Sequence, residues 1–132
     1  MKILFVCRAN IGRSQAAMGF YNQLFPGQSD SAGTIVDNPG EILSSRNGAT
    51  NIIAVMKEQC VDMSANTRTQ LTERMLEDYE KVIVMAEPET IPAWLLKNPK
   101  TTVWTIIDPK DQSMEVTRHR VSEIKSKVDE LI

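Results

Sequence analysis

The chain has 132 residues, of which 42% are hydrophobic and 24% are charged, and its formal net charge is −2. This size and composition predict one globular domain, residues 1–132, with a sizeable hydrophobic core. The charge gives no electrostatic footprint for nucleic acid or an anionic membrane, so we expect neither as a partner. The two cysteines, Cys7 and Cys60, make neither a disulfide framework nor a zinc site, which favours a reducing, cytoplasmic setting.

The predicted secondary structure alternates between strands and helices. In chain order we expect a strand at 2–6, a helix at 14–25, a strand at 29–32, a helix at 49–59, a strand at 81–85, a helix at 89–97, a strand at 102–107 and a helix from 113 onward. Residues 35–46 are predicted to form a long functional loop. The first apolar run, residues 3–6, is too short for a signal-peptide core or a membrane span. The alternation predicts an α/β fold, a four-stranded parallel sheet with helices on both faces.

A cysteine and an arginine separated by five residues directly follow the first predicted strand. We expect backbone N–H groups and the Arg13 fork to surround a phosphate, with the sulfur of Cys7 beneath it. At a helix N-terminus beside a cation the thiolate is favoured, and Ser14 is placed to donate a hydrogen bond to it. Cys7 is therefore the predicted nucleophile. The predicted phosphate-binding residues are Arg8, Ala9, Asn10, Ile11, Gly12, Arg13 and Ser14.

An Asp-Pro pair, Asp108-Pro109, comes directly after the fourth predicted strand. Because ligands bind outside the carboxyl ends of parallel strands, we expect Cys7 and Asp108 to meet there. Phosphoryl transfer to sulfur requires a proton for the leaving oxygen, and Asp108 is the predicted general acid. Taken alone, the pair is also compatible with a turn that closes the strand. The predicted catalytic residues are Cys7, Arg13 and Asp108.

Together these residues resemble the low-molecular-weight protein tyrosine phosphatase family, whose superfamily includes thioredoxin-coupled arsenate reductases. The resemblance implies a phosphocysteine intermediate that water hydrolyses, and neither a metal nor a cofactor. It also implies that Asp108 acts first as acid and then as base, that Ser14 assists the thiolate, and that Asn10 braces the loop by bonding to Ser31. The matching segments are Val6-Cys7, Asn10, Arg13-Ser14, Ser31-Ala32-Gly33-Thr34, Val61-Asp62-Met63-Ser64, residues 82–85 and Asp108-Pro109.

Several positions depart from the family pattern, and four of them bear on catalysis or on the choice of substrate. Ala9 replaces a loop glycine, and Ala86 replaces an acidic residue that usually follows the methionine of the third strand. The aromatic walls of tyrosine-directed members are missing, since Asp37 and Lys110 occupy those regions. Loss of stacking on such a wall weakens binding of an aryl phosphate by about 1 kcal/mol.

Three functions are compatible with this pattern. The first is a metal-free phosphatase acting on phosphorylated protein, including phosphotyrosine, or on a small phosphomonoester. The second is an arsenate or related oxyanion reductase, for which thioredoxin-coupled members need two further cysteines after the third strand; this chain has none there, so only a cycle using one cysteine and a glutaredoxin or mycothiol is open. The third is a phosphate-binding module with weak or no catalysis. The sequence does not indicate the oligomeric state or any role for Cys60.

Overall fold

Four strands form a single sheet, and helices pack on both of its faces. The computed structural model describes residues 1–132. In chain order its main elements are β1 (Ile3–Cys7), α1 (Arg13–Leu24), β2 (Ser29–Gly33), α2 (Thr50–Glu58), β3 (Lys81–Val84), α3 (Ala93–Leu96), β4 (Thr101–Val103) and α4 (Met114–Asp129). Short 3₁₀ turns lie at Leu43–Ser45, Asn47–Ala49, Glu73–Asp78 and Pro88–Thr90.

The sheet is entirely parallel, with the strand order β2-β1-β3-β4. Strand β1 is central, and its register pairs Cys7 with Gly33 of β2 and Val6 with Val84 of β3. All five residues of β1 are buried, as expected for a central parallel strand covered on both faces. The predicted four-stranded parallel sheet is confirmed, and β1 delivers Cys7 to its carboxyl edge.

The two faces of the sheet carry separate hydrophobic cores. Ile3 and Phe5 point to the face covered by α1, α2 and α4, while Leu4 and Val6 point to the opposite face. This alternation follows from the period of two along a strand. The first core includes Phe20, Ile52, Met56, Val121, Ile124 and Val128, and the second includes Leu71, Leu76, Tyr79 and Leu95.

Two predicted elements are wrong in extent. The strand predicted at 102–107 ends at Val103. The backbone N–H of Trp104 still donates to the carbonyl of Val84 in β3. The carbonyl of Ile106 accepts a hydrogen bond from the side chain of Arg13 and not from a neighbouring strand. The helix predicted at 89–97 is divided into the turn Pro88–Thr90 and the four-residue α3. Pro92 lies between them, and proline lacks the N–H that a continuous helix needs.

The other predicted elements are present, and no predicted end differs from the observed one by more than one residue. The long loop at 35–46 contains the turn Leu43–Ser45, and Ile42 forms an isolated antiparallel bridge with Thr67. No helix is both long and apolar enough to cross a membrane.

The end of β2 approaches the loop after β1 very closely. A Cβ atom at Gly33 would lie 2.6 Å from the carbonyl oxygen of Arg8, 2.7 Å from Cγ2 of Val36 and 2.9 Å from the backbone nitrogen of Asn10. Two of these contacts are with backbone atoms, so a side chain at Gly33 would have to displace the loop. The short distance between β2 and the loop therefore requires a glycine at this position.

We expect Gly33→Ala to lower the free energy of unfolding by about 1–3 kcal/mol, because backbone of the loop must shift to admit the methyl group. Gly48→Ala is the matched control, since a Cβ there meets nothing within 4 Å. The control should change the free energy by less than about 0.5 kcal/mol. Urea denaturation of both variants checks this, and equal stability of the two would show that the loop does not need the close approach.

Candidate active site

The loop between β1 and α1 presents a series of unpaired backbone donors. No N–H group from Arg8 to Ser14 donates a hydrogen bond within the protein. Asn10 lies in the left-handed region, with φ at 56°, which allows the chain to turn sharply before α1. Unpaired N–H groups at the start of a 12-residue helix attract an anion. The loop therefore has the donors that a phosphate or a similar oxyanion requires.

Cys7 lies beneath this loop and is only 2% exposed. Its Sγ is 3.0 Å from Oγ of Ser14. Nδ2 of Asn10 donates to Oγ of Ser14 at 2.8 Å and to Oγ of Ser31 at 3.0 Å. Because the Ser14 oxygen already accepts from Asn10, its own proton is free to be donated to a thiolate at Cys7. The structure thus places Ser14 beside Cys7 and Ser31 beside Asn10, as the sequence analysis predicts.

Arg13 is held at the carboxyl edge of the sheet and is 3% exposed. Its Nη1 donates to the carbonyl oxygens of Met85, at 2.6 Å, and Ile106, at 3.1 Å. Nη1 and Nη2 also donate to the two carboxylate oxygens of Glu87, at 2.8 and 2.9 Å. No hydrogen bond within the protein involves Nε. The guanidinium is therefore anchored on one side and retains a donor for an incoming anion.

The charges around Arg13 keep it protonated despite its burial. Burial alone would lower the pKa of Arg13, but the hydrogen bond to Glu87 and the nearby charges of Cys7 and Asp108 outweigh that effect and raise it. Oδ2 of Asp108 lies 3.7 Å from Nη2 of Arg13, and Oδ1 accepts the backbone N–H of Lys110 at 3.0 Å. The side chain of Asp108 is 41% exposed, so it can exchange protons with solvent.

Cys7, Arg13 and Asp108 line one cavity of about 370 Å³. Ile35, Asp37, Arg46 and Ile52 also line it, as do Pro109, Lys110 and Asp111. No phenylalanine, tyrosine or tryptophan is among the lining residues. The space beside residues 8–14, here called the phosphate loop, is therefore bounded by aliphatic, polar and charged groups. No group of three or more His, Cys, Asp or Glu side chains is placed to hold a metal.

Two features of the site were not found from the sequence. The acidic residue expected at Ala86 is absent, but Glu87, one residue later, supplies the carboxylate that pairs with Arg13. Arg68 donates to the carbonyl of Ala9 in the loop, and it is also among the residues that line the cavity. The position of Glu87 directly after Ala86 is a usable signal, whereas nothing in the local pattern singles out Arg68.

Cys60 lies far from this cavity. It is exposed, and its carbonyl is at the end of α1, where it accepts from the side chain of Gln23. Ser14, which contacts Cys7, precedes Gln23 by nine residues of the same helix, a separation of about 13 Å at 1.5 Å per residue. A disulfide requires Cα atoms within about 7 Å, and these contacts put Cys7 at the first turn of α1 and Cys60 near its last turn, which disfavours a bridge between them.

The chain matches the family model for low molecular weight phosphotyrosine protein phosphatase over residues 2–132. It is 33% identical over 137 residues to the glutaredoxin arsenate reductase of Synechocystis sp. (strain ATCC 27184 / PCC 6803 / Kazusa), covering 99% of this chain and 95% of that protein. The structure of Vibrio vulnificus Wzb in complex with benzylphosphonate is 29% identical with a TM-score of 0.81, covering 98% of this chain and 95% of that one. YwlE arginine phosphatase from Geobacillus stearothermophilus is 25% identical with a TM-score of 0.77, covering 98% and 89% respectively.

The Arg13–Glu87 pair predicts a pH-dependent contribution to stability. The hydrogen bond from Arg13 lowers the pKa of Glu87 below its ordinary value of 4.5, so the folded protein releases this proton more readily than the unfolded chain. The stabilisation is fully present above that ordinary value and is lost as the pH falls through the lower folded value. Since Glu87 is partly exposed, we expect Glu87→Gln to cost about 1 kcal/mol at neutral pH.

Urea denaturation at about pH 7, 5 and 3 measures this difference between Glu87→Gln and the wild type, which should shrink as the pH falls. Glu89→Gln is the control, because Glu89 is exposed and makes no ion pair. A cost of Glu87→Gln that is the same at all three pH values would contradict the predicted role of the pair.

Proposed function

The chain belongs to the low molecular weight phosphotyrosine protein phosphatase family, and from that premise we propose that it is a cysteine-dependent phosphatase that hydrolyses phosphomonoesters without a metal. The observation that most supports this is the convergence of Cys7, Arg13 and Asp108 on one cavity beside seven unpaired N–H groups. We propose that residues 1–132 act as one phosphatase domain in the cytoplasm. The proposed substrate is a phosphorylated protein or a small phosphomonoester.

In the first step, the thiolate of Cys7 attacks phosphorus while the bond to the leaving oxygen breaks. Asp108 donates its proton to that oxygen, so the product leaves as a neutral alcohol or phenol. The backbone N–H groups and Nε of Arg13 bind the three equatorial oxygens, whose charge is redistributed in the transition state. The phosphoryl group is then bonded to sulfur as a phosphocysteine.

In the second step, water attacks the phosphorus of the phosphocysteine. Asp108, now a carboxylate, accepts a proton from that water, and the bond between phosphorus and sulfur breaks. The electron pair returns to Cys7, where the hydroxyl of Ser14 stabilises the departing thiolate from 3.0 Å. Phosphate leaves and Asp108 keeps the proton that the next turnover needs.

The walls of the cavity bear on the choice of substrate. Protein phosphotyrosine is the substrate class we propose first, with Ile35, Ile52 and Pro109 giving the ring aliphatic contact instead of aromatic stacking. Loss of stacking weakens binding and leaves the reacting groups untouched, so the effect should fall on KM more than on kcat. Alkyl phosphomonoesters, which gain nothing from an aromatic wall, should compete well.

The decisive test is hydrolysis of para-nitrophenyl phosphate and of a phosphotyrosine peptide, in EDTA, by Cys7→Ser, Asp108→Asn and the wild type. Cys7→Ser should abolish turnover, and Asp108→Asn should lower kcat by about 10²–10⁴-fold on the peptide. The loss in Asp108→Asn should be smaller on para-nitrophenyl phosphate, because nitrophenolate leaves readily without a proton. Cys60→Ser, remote from the cavity, is the matched cysteine control and should retain activity.

Turnover that survives in Cys7→Ser would overturn the phosphatase mechanism. An equal loss on both substrates in Asp108→Asn would assign that residue a role other than the general acid. Binding of phosphate by a folded, reduced wild type that hydrolyses neither substrate would favour the phosphate-binding module instead.

Arsenate reduction is the second candidate, favoured by the 33% identity to the Synechocystis arsenate reductase. Arsenate has the charge and shape of phosphate, so the same loop could hold it while the sulfur of Cys7 displaces an oxygen from arsenic. An external thiol would then attack that sulfur; the electron pair of the sulfur–arsenic bond passes to arsenic, giving arsenite, and Cys7 becomes a mixed disulfide. The external thiol is necessary because Cys60 is too distant to serve.

The reductase is tested by arsenate-dependent NADPH consumption with glutathione, glutathione reductase and a glutaredoxin. Consumption that is lost in Cys7→Ser and retained in Cys60→Ser would support it. If wild-type protein consumes no NADPH while it hydrolyses para-nitrophenyl phosphate, a glutathione-dependent reductase is excluded and the phosphatase retained.

A further inference from the structure

Arg68 is a buried cation that is bonded to the backbone of the phosphate loop and is among the residues lining the cavity. Its side chain has no exposed surface, and it lies in the irregular segment between α2 and β3. Nε and Nη2 donate to the carbonyl oxygen of Ala9 at 3.1 and 3.0 Å. The next residue, Thr69, donates its backbone N–H to Oδ1 of Asn10 at 2.8 Å. Two adjacent residues of this segment thus hold two adjacent residues of the loop.

The other side of Arg68 is bonded to the long loop at 35–46. Nη1 donates to Oε1 of Glu41 at 2.9 Å, and Nη2 pairs with Oδ1 of Asp37 at 2.8 Å. Arg46 pairs with the same two carboxylates, at 3.1 and 2.9 Å, which closes a four-membered ionic cluster. Hydrogen bonds from Arg46 and Arg68 lower the pKa of Asp37 to about 2, so this carboxylate stays charged at any ordinary pH.

The contact with Ala9 bears on the direction of the unpaired N–H of Asn10, one of the proposed phosphate donors. In a planar trans peptide the C=O of Ala9 and the N–H of Asn10 point in opposite directions. Fixing the carbonyl towards Arg68 therefore fixes the N–H on the opposite side of the peptide plane. Asn10 has φ at 56°, in the left-handed region that asparagine adopts more readily than most side chains and that contacts with its surroundings stabilise. Arg68 and Thr69 contribute to that stabilisation, together with the bonds from Asn10 to Ser14 and Ser31.

We propose that Arg68 is a positioning residue that holds the phosphate loop in its oxyanion-binding conformation and couples that loop to residues 37–46 beside the cavity. The proposal rests on the proposed use of the loop to bind a phosphoryl group, and it extends to any tetrahedral oxyanion bound there. The planar fork is essential to this role, because it holds one carbonyl and two carboxylates at once. A lysine would bring the charge without the fork.

The test is the Kd of inorganic phosphate, measured by calorimetry on reduced, folded protein for Arg68→Gln, Arg68→Lys and Arg46→Gln. All are made in a Cys60→Ser background. A second assay measures how phosphate protects the protein from alkylation by iodoacetamide, and in this background it reports on Cys7 alone. Loss of one well-aligned loop donor corresponds to about a tenfold weaker Kd, which we expect for Arg68→Gln. Arg68→Lys should weaken binding by about threefold or more, since a point charge cannot replace the fork.

Arg46→Gln is the charge-matched comparison. It removes a cation from the same cluster and the same cavity wall, but no contact with the phosphate loop. We expect less than about a threefold change in Kd, because the lost attraction is long-range and partly screened. An equal loss in Arg46→Gln and Arg68→Gln would show that charge alone matters and would overturn the proposal.

A purely structural role for Arg68 predicts a different result. It would lower the melting temperature and leave the phosphate Kd of the folded protein unchanged, which would also overturn the proposal. If Arg68→Gln does not fold, Arg68→Lys decides, and a wild-type Kd in that variant would be the overturning result. Phosphate binding needs no turnover, so this test does not depend on phosphatase activity. If the wild-type protein binds phosphate but hydrolyses no substrate, the proposed phosphatase function is wrong. Weaker phosphate binding by the Arg68 variants would still support the positioning role.

Discussion

The N–H groups of residues 8–14 find no acceptor inside the protein, and much of the surrounding structure holds them in that state. Unpaired backbone donors are unfavourable unless water or an anion satisfies them. The loop resists collapse because β1 fixes its start at Cys7, Gly33 packs directly against it, and the side chain of Asn10 contacts Ser14, Ser31 and Thr69. The proposed anion site is thus formed mainly by backbone geometry.

An acidic protein can have a site for anions when groups within the cavity supply the attraction. The net charge is −2, so attraction of a phosphate must come from groups within the cavity. Arg13 is paired with Glu87 and Arg68 with Glu41, which keeps both buried guanidinium groups compensated while the site is empty. In the proposed binding mode an oxyanion contacts Nε of Arg13 and the loop donors, and it competes with Glu87 only for the remaining donors of the guanidinium group.

The sequence reveals those parts of the site whose chemistry is local. Cys7, Arg13 and Ser14 lie in one short segment after a buried strand, so their types and spacing were sufficient to predict the loop. Glu87 and Arg68 acquire their roles through tertiary contacts with Arg13 and Ala9. The place of Glu87 one residue after the expected acidic position is a usable signal, whereas no local pattern encodes the role of Arg68. The extent of β4 was missed for the same reason, because the β-branched run up to Ile106 favours a strand while Arg13 takes the Ile106 carbonyl.

The most direct measurement is a titration of the ¹⁵N-labelled protein with inorganic phosphate, followed by the backbone amide resonances in NMR. A preformed oxyanion site predicts saturable shifts that are largest at the amides of residues 8–14, with little change in the rest of the sheet. The same pattern should persist in Cys7→Ser, since the donors are backbone groups. Shifts that fail to saturate, or that centre on the exposed cations around the rim instead of on the loop, would contradict a backbone cradle as the basis of this site.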